Sequence, residues 1–159
     1  MSTKIVCHRA TLDKNLFVEN NLESLEKCII SGFAAEVDVH VIEDKVYLGH
    51  DTAQEQIELS LIDKQNVFIH IKNGGLLNCK HADTFYLSDD SVAFTGKGRR
   101  WLNVGSKVQA PSDVLCSDEL VGDEFSEKKI IEALTIGSYI CTKYPFRVLD
   151  LFEKLGEFN

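Results

Sequence analysis

Short runs of alternating apolar and polar residues dominate the chain and predict more strands than helices. KIVCHR at residues 4–9 predicts a short buried strand. AAEVDVHVI at residues 34–42 and KVYLGH at residues 45–50 predict two strands joined by the turn EDK. QNVFIHIKNGG at residues 65–75 predicts another strand, which ends at its Asn-Gly-Gly sequence. Weaker strand patterns cover residues 84–89, 91–96, 113–118 and 137–144.

Three segments have apolar residues at helical spacing. Residues 20–32, NNLESLEKCIISG, predict a helix that ends at Gly32, because glycine is common just beyond a helix C-terminus. Residues 124–135 predict a second helix, and residues 146–158 predict an amphipathic third one. One face of that third helix carries Val148, Leu149, Leu151, Phe152 and Leu155.

The order of these elements predicts an α/β fold in one domain over residues 1–159. We find no internal repeat and no linker-like segment that would divide the chain. Strands alternating with helices can build a sheet that closes on itself. A complete eight-unit barrel takes about 250 residues, so a barrel of this length must lack several helices.

Composition and charge exclude several classes of protein. Hydrophobic residues make up 44% of the chain and charged residues 26%, as in ordinary globular proteins. The net charge of -8 argues against broad binding to nucleic acid. No apolar run approaches the length of about 20 residues that a membrane span needs. Five irregularly spaced cysteines and the lack of a signal-peptide-like N-terminus predict a cytoplasmic protein with free thiols.

The acidic pair Glu36 and Asp38 is the first candidate for chemistry. Side chains alternate along a strand, so these two carboxylates share one face. Burying both is costly unless a positive group lies between them, and Mg²⁺ or Ca²⁺ is the usual solution. The alternative is a strand edge at which both acids face water.

Other polar pairs follow the same strands and favour a site over scattered surface polarity. His8-Arg9 ends the first strand, His50-Asp51 follows the third, and His70 and Lys72 end the next strand on one face. The carboxyl ends of strands are where an α/β barrel collects its active site. His40 and His81 lack such neighbours, and we interpret them as structural residues.

This combination of residues is suited to cleaving a phosphodiester. Arg and Lys bind phosphate oxygens, and a metal ion neutralises charge on the phosphoryl group. Two histidines can divide the proton transfers, with one accepting and one donating. Because the chain has no GxxxxGK[ST] loop, hydrolysis of a nucleoside triphosphate is not expected.

At these residues the chain resembles the glycerophosphodiester phosphodiesterase family. That family has His-Arg after the first strand, Pro-Glu-Asn-Thr before the first helix, Glu-x-Asp on the second strand, then His-Asp and Glu-x-Lys. The counterparts here are His8-Arg9, Val18-Glu19-Asn20-Asn21, Glu36-Val37-Asp38, His50-Asp51 and His70-Ile71-Lys72. YLGHD, IHIKN and FTGKGRRW are also similar to stretches of a short subgroup of the family.

The resemblance implies a small, condensed TIM-like barrel of the phospholipase-C-like phosphodiesterase type, with several helices missing or shortened. It implies an enzyme of lipid metabolism that hydrolyses a glycerophosphodiester-like or sugar-linked diester with a divalent metal ion, Mg²⁺, Ca²⁺ or Mn²⁺. The resemblance implies that Glu36 and Asp38 bind the metal ion, together with His70 at the position of the family's third ligand. His8 and His50 would be the acid–base pair. Arg9 and Lys72 would bind the phosphate. Glu19 and Asp51 would support these residues.

The chain departs from the family pattern in three respects. His70 stands where most members have a third carboxylate, which makes Zn²⁺ a further candidate metal. Lys143 stands where the family has a late aspartate. The short chain predicts an open, shallow cleft, and missing helices would expose apolar strand faces, which favours a homodimer.

Two other features have simple structural interpretations. TGKGRRW, with Lys97, Arg99 and Arg100 beside Trp101, could contact a substrate, but a glycine-containing hairpin turn with solvated charges also explains it. Cys7 adjoins His8, yet adjacent strand residues point to opposite faces, so Cys7 is expected in the core.

The sequence therefore leaves three functions open. The first is a metal-dependent phosphodiesterase acting on a small-molecule diester. The second is a non-catalytic phosphate-binding or scaffold protein that retains the fold. The third is a lyase, in which a hydroxyl of the substrate attacks the phosphorus and releases a cyclic phosphate.

Overall fold

The computed structural model describes residues 4–13, 18–87 and 90–156, and one sheet takes up ten strands. Three α-helices accompany the sheet: α1 (Leu22–Ile30), α2 (Glu127–Ile136) and α3 (Pro145–Gly156). The strands are β1 (Ile5–Cys7), β2 (Ala34–Ile42), β3 (Lys45–Leu48), β4 (Glu55–Ile57), β5 (Val67–Ile71), β6 (Asp83–Phe85), β7 (Val92–Phe94), β8 (Arg100–Leu102), β9 (Val114–Cys116) and β10 (Tyr139–Thr142).

Seven strands run parallel and form the main part of the sheet. Their order is β6, β5, β2, β1, β10, β9 and β8, each hydrogen-bonded to the next. β7 adds an antiparallel edge beside β8, and β3 and β4 extend antiparallel from the second half of β2. Parallel pairing places the carboxyl ends of β1, β2 and β5 at the same end of the sheet.

The sheet is not a closed barrel, so the expected TIM-like fold is not confirmed. β6 and β7 end the series of paired strands, and the described residues form no ladder between them. The turn after β7 approaches β6 instead, where the Gly96 N–H donates to the Thr84 carbonyl at 2.7 Å. A barrel would need strand–helix–strand units between β6 and β9, but this stretch contains the antiparallel hairpin β7–β8.

The two faces of the sheet have different neighbours. On one face, residues such as Cys7, Val37 and Ile69 join the larger apolar core, which includes Leu25 of α1 and Val148 of α3. On the other face, side chains from eight strands form a second cluster, in which Phe85 of β6 and Trp101 of β8 stack at 4.2 Å between ring centroids. The alternation of side chains along each strand produces this separation.

The helices begin and end where the sequence provides the signals. The Asn21 side chain caps α1 by accepting hydrogen bonds from the backbone of Glu23 and Ser24, at 3.0 and 3.3 Å. Gly32, with φ of 83°, follows the helix as predicted. The predicted helix over residues 124–135 is observed as α2. Val148 and Leu151 of α3 are buried, and its other predicted apolar residues pack against the core.

The Asn-Gly-Gly sequence after β5 ends that strand by a side-chain contact. Asn73 accepts from the Val41 N–H at 3.1 Å and donates to the Val41 carbonyl at 2.8 Å, which ties this turn to β2. A side chain at Gly75 would place its Cβ 2.3 Å from Val41 Cβ, so only glycine fits there. The residue just before this turn is Lys72, whose position is thus fixed.

Two strands were not predicted, and both are three residues long. β4 has the sequence EQI, which has little strand character by itself, and β8 begins inside the stretch interpreted as a turn. Pairing with β3 and with β9 makes them strands. The predicted strand over residues 84–89 is observed as β6, while residues 88, 89, 157 and 158 of the predicted elements lie outside the described residues. Within the part of the chain that the structure describes, no helix has the length and apolar character of a membrane span.

Candidate functional site

One cavity of about 490 Å³ collects the residues that the sequence singled out. It opens at the carboxyl ends of β1, β2 and β5. The predicted residues that line it are His8, Arg9, Glu36, Asp38, His50, His70 and Lys72. The other two predicted residues, Glu19 and Asp51, do not line the cavity but contact Arg9 and His50, respectively.

The sheet brings the carboxylates and His70 together through strand register. Glu36 and Asp38 lie on the inner face of β2 and are 2% and 1% exposed. Asp38 pairs in register with His70 on the neighbouring parallel strand β5. Lys72 follows two residues later on the same side, and its Nζ lies 3.8 Å from Asp38 Oδ1.

Glu36, Asp38 and His70 form a group that could hold a metal ion. One ligand atom from each lies within 4.8 Å of the others. His70 Nδ1 is 2.9 Å from Asp38 Oδ1 and 3.9 Å from Glu36 Oε1. Two carboxylate oxygens and one imidazole nitrogen at these separations suit a small divalent cation, with positions left for other ligands.

Arg9 connects both acids to the turn after β1. It has a left-handed backbone conformation, with φ of 51°, and its N–H donates to Glu36 Oε2 at 2.8 Å. Its guanidinium donates to Glu19 Oε2 at 2.8 Å, and its Nε lies 3.4 Å from Asp38 Oδ2. Glu19 therefore restrains the Arg9 side chain, while the supporting role that the resemblance implied for Glu19 stays a prediction.

Asn20 is a structural part of the site to which the sequence analysis gave no role. Its side-chain amide donates to Asp38 Oδ2 at 3.0 Å, and its Oδ1 accepts from the Asp38 N–H at 2.8 Å. Asn20 is 6% exposed and has φ of 50°, a conformation that asparagine tolerates. The sequence feature that could have identified Asn20 as a site residue is its position next to Glu19 in VENN.

The two carboxyl groups differ in electrostatic environment. Burial raises the pKa of Glu36 well above its ordinary value, and the charge of Asp38 adds to this rise. Burial opposes ionisation of Asp38 as well, but hydrogen bonds from His70 and Asn20 outweigh it and lower the pKa. Asp38 is therefore the more readily ionised member of the pair, and a cation at the site would favour ionisation of Glu36.

His8 is held as a neutral imidazole. Burial, and then the positive charge of Arg9, lower its pKa to about 3. Its Nδ1 is buried and has no hydrogen-bond partner within the described parts of the chain. Lys143 also contributes to this lowering, although it does not line the cavity.

His50 lines the cavity, and His40, which does not, contacts the backbone of His50. His50 Nδ1 lies 2.7 Å from Asp51 Oδ1, so Nε2 is the ring nitrogen left for the cavity. The Nε2 of His40 lies 3.2 Å from the His50 carbonyl, which fixes the backbone of residue 50. His40 thus has the structural position that its sequence context indicated.

The basic stretch around residues 97–101 supplies one residue to the cavity. Arg99 pairs with Asp83 at 2.8 Å and Arg100 with Asp113 at 2.6 Å, and neither lines the cavity. Trp101 does line it, and it stacks on Phe85, which in turn stacks on the His70 ring at 4.9 Å between centroids. The rings of Trp101, Phe85 and His70 therefore form a continuous stack that supports His70, a candidate metal ligand.

No protein-family model, curated protein or solved structure matches this chain. The resemblance to the phosphodiesterase family consequently rests on the sequence motifs.

Replacing Asn20 by aspartate should destabilise the protein by at least about 2 kcal/mol at pH 7. The substitution keeps the size and the tolerance for positive φ, but it removes the N–H donor to Asp38 and places two carboxylates in contact. Urea unfolding of Asn20→Asp and of the exposed control Asn78→Asp measures the difference. Equal stabilities of both variants and wild type would show that Asn20 does not support Asp38.

Replacing His8 by glutamine should weaken the pH dependence of stability. In the unfolded chain His8 gains a proton near pH 6.5, whereas in the folded protein it does so near pH 3. The unfolded state binds more protons between these values, so stability falls as the pH decreases through this window. The loss between pH 7 and pH 5 should be smaller in His8→Gln by up to about 2 kcal/mol.

Urea unfolding at both pH values checks this, with the exposed His81→Gln as control. An unchanged pH dependence in His8→Gln would contradict a buried, neutral His8.

Proposed function

We propose that the protein is a metal-dependent phosphodiesterase that hydrolyses a small phosphodiester. The observation that carries the proposal is the convergence of a candidate metal group, two cationic side chains and two histidines on one cavity. The sequence resemblance predicts the same chemistry for these residues.

Arg9 and Lys72 orient the phosphate in this proposal. Lys72 supplies a point charge near Asp38, and Arg9, which lines the cavity, is held by its ion pair with Glu19. A divalent cation held by Glu36, Asp38 and His70 would supply charge neutralisation at a non-bridging phosphate oxygen. The charge of that cation would favour the ionised form of Glu36 despite its burial.

The two histidines carry out separate proton transfers in this proposal. His8 is neutral and accepts a proton from the attacking water, while the water oxygen forms a bond to phosphorus. His50 donates a proton through Nε2 to the leaving oxygen as its bond to phosphorus breaks. Asp51 holds Nδ1 of His50 and so fixes which nitrogen faces the substrate.

His70 sets the metal preference of the proposed site. An imidazole ligand suits Mn²⁺ or Zn²⁺ better than Ca²⁺, and the site carries one negative charge less than a three-carboxylate site. The site is therefore proposed to prefer Mn²⁺ or Zn²⁺ over Mg²⁺ and Ca²⁺.

Calorimetric titration should detect binding of Mn²⁺ or Zn²⁺ that Asp38→Asn weakens by about tenfold or more, since this substitution removes the ionised ligand. His70→Glu should lower the ratio of Zn²⁺ to Mg²⁺ affinity by about tenfold because it exchanges a nitrogen ligand for oxygen.

The exposed Asp44→Asn makes the same chemical change outside the site and should bind metal like the wild type. Metal binding that is equal in Asp38→Asn and wild type would rule out the proposed metal site.

His8→Ala and His50→Ala should each lower turnover of bis(p-nitrophenyl) phosphate by about 100-fold or more in the presence of Mn²⁺, because each removes one proton transfer. Release of p-nitrophenolate measures the rate, and circular dichroism checks that both variants are folded. His81→Ala, a change at an exposed histidine, is the control and should retain activity.

The products distinguish the remaining functions. Phosphorus NMR after reaction with a glycerophosphodiester identifies a lyase if a cyclic phosphate appears. Full activity in both histidine variants would contradict the mechanism. Metal binding without turnover of any diester would leave a non-catalytic phosphate-binding protein as the function.

A further inference from the structure

The cavity that contains the candidate site has a polar half and an apolar half. The polar half carries the predicted residues of β1, β2 and β5 and of the loop after β3. The apolar half comes from β6, β8 and β9 and the segments that follow them. Its apolar lining residues are Phe85, Leu87, Trp101, Val104, Leu120 and Val121.

The apolar half has a buried floor and an exposed rim. Phe85 and Trp101 form the floor and are 2% and 4% exposed. Leu87, just after β6, is 45% exposed, and Val121, at the end of the short 3-10 turn after β9, is 66% exposed. Two separate elements thus present apolar side chains to one cavity and to solvent, although such exposure is unfavourable in the free protein.

This half has few polar side chains, and Asn103 and Cys116 are the ones that line the cavity there. The Asn103 side-chain amide donates to the Asp90 carbonyl at 2.6 Å. The Cys116 thiol is 8% exposed and is hydrogen-bonded to the free thiol of Cys141 on the neighbouring strand. Among the described residues, this half therefore offers few partners to the hydroxyl groups of a glycerol or sugar, which would lose water without gaining hydrogen bonds.

We infer that the site takes phosphate esters with an apolar substituent, such as an alkyl chain, rather than glycerol- or sugar-linked ones. The inference rests on the proposed function for the position of the phosphate, between Lys72 and Arg9. From there the substituent extends along the wall formed by Val104, Leu120 and Val121. Its burial covers the exposed rim, and removal of this surface from water provides binding free energy.

A small ligand fits these observations better than a protein partner. The apolar rim is continuous with the charged half and lies within the same cavity. A volume of about 490 Å³ lies in the range of small-molecule sites. The separation into one charged and one apolar half matches an amphiphilic ester, with its charged end at the metal group.

Calorimetry with methylphosphonate, butylphosphonate and 3,4-dihydroxybutylphosphonate in the presence of Mn²⁺ tests the inference. Each methylene group that becomes buried should tighten binding by up to about fourfold. Butylphosphonate should therefore bind at least about tenfold more tightly than methylphosphonate. The dihydroxy compound has the same chain length and should gain little over methylphosphonate.

Leu87→Ser and Val121→Ser should each reduce the ratio of butylphosphonate to methylphosphonate affinity by about threefold or more. Both residues are at the surface, 45% and 66% exposed, so the variants are expected to fold. Leu76→Ser makes the same change at an 86% exposed leucine outside this cavity and should preserve the ratio.

Equal affinities for the methyl and butyl compounds, preference for the dihydroxy compound, or no binding of any of the three would overturn the inference. Hydrolysis is measured separately with methyl and butyl p-nitrophenyl phosphate diesters. Chain-dependent phosphonate binding without p-nitrophenolate release would overturn the proposed hydrolase and leave the inferred ligand class in place.

Discussion

Two carboxyl groups buried side by side on β2 are the constraint on which the site depends. Glu36 and Asp38 are almost completely inaccessible, and ionised carboxylates in such a place are costly unless other groups compensate them. For Asp38 the surrounding contacts provide that compensation, and for Glu36 they offset part of the cost of burial. Arg9 donates its backbone N–H to Glu36 and places its guanidinium beside Asp38, while Asn20 and His70 contact the Asp38 oxygens. The turn after β1 and the segment before α1 are both held by these contacts, so the acids organise the loops as well as the chemistry.

The sheet makes this arrangement possible because one face carries apolar core residues and the other face carries the residues of the site. Residues such as Val37 point toward the helices and bury apolar surface there. The residues between them point to the inner face, where the acids meet His70 in register across the parallel pair β2–β5. The same strands thus provide both the stability of the core and the geometry of the site. The aromatic series from His70 through Phe85 to Trp101 extends this support to the far strands of the sheet.

The two halves of the cavity differ in polarity, and this difference is the basis for the proposed ligand chemistry. The charged half contains a group that could hold a metal ion, and in the proposed function His70 would shift its metal preference away from that of purely oxygen-based sites. The apolar half contains exposed Leu87 and Val121 and favours an apolar substituent on the phosphate. The hairpin β7–β8 stands where a closed α/β barrel would need strand–helix–strand units. The sheet remains unclosed at this place.

The sequence by itself determined the features that depend on local geometry. Alternation along β2 placed Glu36 and Asp38 on one face, and helical spacing with Gly32 predicted α1. The polar residues on and after the strands identified seven residues that line one cavity. Tertiary structure alone decided the contacts between distant segments: Asn20 against Asp38, the pairing that makes β4 and β8 strands, the unclosed sheet and the apolar half of the cavity. Periodicity is a property of neighbouring residues, whereas these contacts depend on strand order and loop paths, which are fixed only when the whole core packs.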